Sequence, residues 1–126
     1  MYFYSIDRSN PIIIAYKKLV NLLLIEPLVE NLKNISNRIV LFGSCTQGTD
    51  TSGSDLDLFI ISNKRDKVLE AVSNFKFPKG FENIHIQAVI QTPVELLEIK
   101  GPDQTFIEEV EQGLVLWEKA ASESRV

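Results

Sequence analysis

A membrane-length apolar run, an internal repeat and an internal disulfide are all missing from these 126 residues. Its single cysteine, Cys45, cannot form an internal bridge, which fits a reducing, cytoplasmic setting. Met1 to Arg8 hold no basic stretch followed by an apolar one, so no targeting segment is expected. The greasiest region, Pro11 to Leu32, is interrupted by Lys17, Lys18, Asn21, Glu26 and Pro27. It therefore falls short of the roughly 20 apolar residues that cross a bilayer, and no membrane role is expected. Positive charge is scarce too: 13 Lys and Arg against 17 Asp and Glu leave a net charge of −4. Such a surface does not neutralise a phosphate backbone, which argues against general nucleic-acid binding. What remains is ordinary for a compact domain, with 44% hydrophobic and 24% charged residues. One domain over residues 1–126 is expected, with a helical segment at 1–35 and the core at 36–118.

The informative stretch runs from Gly43-Ser44, through ten residues of polar loop, to Asp55-Leu56-Asp57. Apolar strand-like runs flank it, Arg38 to Phe42 before and Leu56 to Ile61 after. Side chains alternate along a strand, so Asp55 and Asp57 project to one face while Leu56, Leu58 and Ile60 face a core. Two carboxylates side by side repel, and a shared divalent cation relieves the repulsion most simply. Gly43 lets backbone approach a ligand closely, and backbone N–H groups with the Ser44 hydroxyl can hold phosphate oxygens. Together the two halves read as a metal–nucleotide site.

The segment LFGSCTQGTDTSGSDLDLFII resembles the signature of the nucleotidyltransferase superfamily with the DNA polymerase β-type fold. The likeness is to its minimal single-domain members, including the antitoxin-type proteins that pair with HEPN-domain toxins. Downstream, Ile86 to Ile90 with Thr92 to Leu96 looks like the family's last core strand and following helix, and Glu109 to Trp117 like its closing segment. The resemblance implies an α/β (α+β) fold, a small mixed β-sheet flanked by helices. It also implies Asp55 and Asp57 as catalytic metal ligands for Mg²⁺ or Mn²⁺, and Gly43 and Ser44 as the nucleotide-binding pair. ATP or another NTP would be the substrate. Active members usually carry a third carboxylate on the later strand, where the pattern places Gln87 here. An amide cannot serve as a general base at neutral pH. The family's Gly-Ser-x-x-Arg-Gly turn reads Gly43-Ser44-Cys45-Thr46-Gln47-Gly48, without its cation.

Punctuation sets the remaining elements. Asn10-Pro11 reads as an N-cap and first helical position, opening a helix to about Ile25, with Pro27 restarting or kinking it and a second piece reaching about Asn34. That helix is apolar nearly all round, which fits either deep burial or an oligomer or partner interface. Asp66 to Phe75 reads as a helix whose start, Lys64-Arg65-Asp66-Lys67, is a solvated basic cluster rather than a phosphate clamp. In the strand Ile84 to Ile90, the residues Ile84, Ile86, Ala88 and Ile90 can face the core, leaving His85, Gln87 and Val89 on the other face. His85 reads as a surface or hydrogen-bonded residue before it reads as a base. Thr92-Pro93-Val94-Glu95 fits a capping box, and Gln104 to Gln112 a last helix with Phe106, Ile107 and Val110 inward. Leu114 to Trp117 fits a short strand or an extended cover.

Two classes of function stay open. One is Mg²⁺-dependent nucleotidyl transfer, AMP from ATP, to a hydroxyl of a protein or an RNA. The other is a binding protein that keeps nucleotide or metal and caps a partner, a HEPN-type toxin by resemblance. Gly43-Ser44 and Asp55-x-Asp57 favour the first; Gln87 and the apolar N-terminal helix favour the second.

Overall fold

The computed structural model describes residues 10–43, 55–97 and 103–119. The first helix, α1, spans Pro11–Leu32 and continues into a 3₁₀ turn at Lys33–Ile35. Asn10 caps it as expected, its Oδ1 accepting the Ile12 N–H at 2.8 Å, with Pro11 at the first helical position. Pro27 does not restart the helix, which runs through it as one element. Pro27 removes one hydrogen bond, to the carbonyl of Leu23. Both residues lie on the exposed side of the helix, where solvent serves that carbonyl. On the other side Leu24, Ile25, Leu28 and Val29 are buried before and after Pro27 and hold both segments to the core.

Among the described residues four strands follow: β1 (Arg38–Phe42), β2 (Leu56–Ile61), β3 (Ile86–Gln91) and β4 (Leu114–Glu118). They form one mixed sheet in the order β3-β2-β1-β4. β1 is antiparallel to both β2 and β4, whereas β2 and β3 run parallel. A parallel pair needs a crossover, and α2 (Arg65–Asn74) supplies it. Two short helices, α3 (Pro93–Leu97) and α4 (Asp103–Glu111), separate β3 from β4. β4 settles the alternative left open for Leu114 to Trp117: it is a strand, tied at its end by the Arg38–Glu118 ion pair.

Apolar side chains leave both faces of the central strands. Leu56, Leu58 and Ile60 meet Ile39 and Leu41 beneath Ile25, Leu28, Val29 and Leu32 of α1 and Val68 of α2. Val40, Phe42, Phe59 and Ile61 form a second cluster with Val110 of α4. Phe106 stands edge-on to Phe42 at 5.5 Å and to Phe59 at 5.8 Å. Each fully buried Leu, Ile or Phe contributes roughly 1.5–3 kcal/mol. The second cluster fills only part of its face, because Asp57 precedes Phe59 along it.

The turn into α3 is a capping box. Thr92 N donates to Glu95 Oε1 at 2.9 Å, and Glu95 N donates to Thr92 Oγ1 at 3.1 Å. Arg65 joins it, donating to Glu95 at 2.6 Å and to the Ile90 carbonyl at 2.9 Å. These contacts, the Thr92 N–H first, hold the Glu95 carboxyl below its ordinary range. Thr92→Ala is expected to cost about 1 kcal/mol in urea unfolding, with no change in ligand binding.

Candidate metal and nucleotide site

Asp55 immediately precedes β2, and Asp57 is its second residue. Strand alternation turns both to the face opposite Leu56 and Leu58. Across the sheet Asp57 stands in register with Phe42, the last residue of β1, and with Gln87 on β3. Residues in register share a face, so Gln87 lies on the carboxylate side as the spacing implied. Its Nε2 donates to Asp55 Oδ2. The amide thereby holds one carboxylate of the pair.

Gly43 closes the site from the end of β1. Its φ is +85°, a left-handed conformation. A Cβ built there would lie 2.5 Å from Asp57 Oδ2. The carboxylate therefore occupies the space that any other residue would fill, and only glycine satisfies both conditions. Gly43 and Asp57 are fitted to each other. Ser44 and the loop from Cys45 to Ser54 lie outside the described residues.

Electrostatics at Asp57 run one way. Burial, then the charge of Asp55, then that of Glu109 push its carboxyl above the ordinary Asp range. Glu109 is the residue that motif reading missed. It sits on α4 between Phe106 and Val110, whose packing on Phe42 and Phe59 carries α4 to the Asp57 face. Its position next to two inward-facing residues was the one available signal. Among the described residues no three of His, Cys, Asp and Glu gather closely enough to hold a metal ion. Among the described residues Asp55 and Asp57 offer two carboxylates. That suits Mg²⁺, which takes one or two carboxylates and completes its shell with water and substrate phosphate.

Two other sequence candidates sit elsewhere. His85 precedes β3 and lines a cleft of about 400 Å³ with Val72, Phe75, Phe77 and Ile84. Arg65, from the basic cluster, is committed to Ile90 and Glu95, while Lys64, Asp66 and Lys67 are exposed, as a solvated helix start requires. Among the described residues no helix is long and apolar enough to cross a membrane.

No curated protein matches the chain in a sequence search. A family model described as "Polymerase beta, Nucleotidyltransferase" matches residues 24–122. That span takes in the sheet, α2 to α4, and most of the part of α1 that packs on them. The strand–glycine–carboxylate arrangement above lies within it, and the chain belongs to the polymerase β-type nucleotidyltransferase family.

Proposed function

We propose that the protein is a Mg²⁺-dependent nucleotidyltransferase that moves AMP from ATP to a hydroxyl of a protein or RNA acceptor. The observation that carries this reading is the Asp57 carboxylate seated over the Cα of Gly43, beside Asp55, on the rim of the sheet. Nothing in the fold needs that arrangement, which leaves like charges together. A bound nucleotide–metal complex explains that cost.

Each residue has a definable task. Asp55 and Asp57 would hold the cation, with Gln87 fixing the Asp55 oxygens through its amide. Gly43 brings backbone N–H groups close to phosphate, and Ser44, next in sequence, adds a hydroxyl for the β- and γ-phosphates. When bound, Mg²⁺ (or Mn²⁺) neutralises charge developing at the triphosphate and makes the acceptor hydroxyl easier to deprotonate. The protein's own share is positioning and electrostatics, which phosphoryl transfer chiefly requires. A negative chain carries little general affinity for RNA, which favours a protein acceptor.

One observation favours a second reading. Gln87 stands where a third carboxylate would, so the chain itself supplies no base there. A protein that binds nucleotide and caps a partner would tolerate that. Mg²⁺-dependent release of pyrophosphate from ATP in the presence of candidate protein and RNA acceptors, measured with wild type and Gln87→Glu, separates the two. The transferase reading expects release by wild type. No release by wild type but a gain of tenfold or more in Gln87→Glu would assign the binding role.

A further inference from the structure

The family match begins at residue 24, but α1 begins at Pro11. Of the helix residues before Leu24, Asn21 alone is buried. Leu22 still packs on the core, but the opposite side of this leading part of α1 is left uncovered by it. That side is not polar. Ile12, Tyr16, Leu19 and Leu23 are 77%, 64%, 53% and 63% exposed. Their 4-3-4 spacing places them in one stripe along the helix. At 100° per residue that stripe lies opposite Leu28 and Val29, which pack on the sheet. Lys17 and Lys18, the charges between residues 10 and 25, fall on other sides of the helix. The same side continues as Glu26 and Glu30, so the apolar stripe ends at Leu23.

We propose that this stripe is a homodimer seam, α1 of one copy lying antiparallel against α1 of a second. An isologous interface must complement itself, and this one does. Centred between Lys17 and Lys18, the pairing sets Ile12 against the partner's Leu23 and Tyr16 against the partner's Leu19. Ile13, Ala15, Val20 and Leu22 flank the seam, so no charge is buried. The same register brings Glu26 to the start of the partner's α1, where a helix N-terminus favours a carboxylate. A parallel pairing would instead set Glu26 against Glu26 and Glu30 against Glu30. The four side chains leave roughly 500 Å² in water per copy, so they contribute at most roughly 1,000 Å² to a pairing, the threshold that a specific interface has to clear.

Sedimentation equilibrium of the full chain tests this. Wild type is expected at twice the chain mass at micromolar concentration, and Leu19→Glu at the chain mass with unchanged far-UV circular dichroism. Orientation is read by cross-linking in a Cys45→Ser background. Ile12→Cys/Leu23→Cys is expected to give a disulfide-linked dimer, and Ile12→Cys alone at least tenfold less. A wild type that stays at the chain mass overturns the proposal, whether residues 1–9 or a different protein takes the stripe. Efficient cross-linking by Ile12→Cys alone overturns the antiparallel arrangement.

Discussion

Asp57→Asn is expected to abolish transfer, lowering the rate at least about 10²-fold, while making the metal-free protein harder to unfold at neutral pH. The first effect follows from removing one of two carboxylates that would hold the cation. The second follows from the direction of the Asp57 shift. Its carboxyl is raised in the folded state by burial, Asp55 and Glu109. Between the unfolded and the raised folded value, the folded state binds more protons than the unfolded one. Stability therefore falls as pH rises through that window, and the cost persists above it. Asparagine keeps the shape and removes the charge. Because Asp57 is only partly buried, solvent screening keeps the gain below about 1 kcal/mol, or a few degrees of Tm. Below the window, with Asp57 protonated, the two proteins should melt together. Thermal melts at pH 7 and pH 3 check this: a variant less stable than wild type at pH 7 would show the carboxylate to be structural.

Gly43→Ala is expected to damage stability and site together. A left-handed conformation costs a non-glycine residue about 1–2 kcal/mol. The overlap with Asp57 Oδ2 adds to this, because the carboxylate must move off its position. A total near 2 kcal/mol lowers Tm by roughly 8 °C in a domain of this size. Gly80 provides the control. Its φ is +98°, yet nothing lies within 4 Å of a Cβ built there. Gly80→Ala should cost stability through backbone strain while leaving Mg²⁺–ATP affinity unchanged. Gly43→Ala should lose about tenfold or more in that affinity, measured by titration calorimetry. Equal affinity in the two variants would mean that the fit between Gly43 and Asp57 does not serve the ligand.

Local signals carried much of this fold. Alternation in Leu56 to Ile61 put Asp55 and Asp57 on one face because β2 is a central strand with fixed register on both sides. The Thr92–Glu95 capping box is similarly local: both hydrogen bonds lie within one turn. Gln87 was placed correctly because parallel pairing with β2 preserves the same alternation. Other features depend on long-range packing, which spacing does not encode. Pro27 signals a break, yet burial of Leu24, Ile25, Leu28 and Val29 around it overrides that signal. The apolar α1 left burial and interface as alternatives, and the helix divides near residue 24 between a packed part and an exposed one. Glu109 reaches the Asp57 face only through the packing of Phe106 and Val110. No spacing rule links it to a carboxylate fifty-two positions earlier, as the sequence numbering gives.

Transfer of label from ATP carrying radioactive α-phosphorus tests the central claim most directly. Protein and Mg²⁺ would be incubated with candidate protein and RNA acceptors, alongside Asp55→Asn and Asp57→Asn. The account predicts acid-stable label on one acceptor class with wild type, lost on chelation of Mg²⁺ and in both variants. No label on any acceptor, or equal label with wild type and variants, would contradict it.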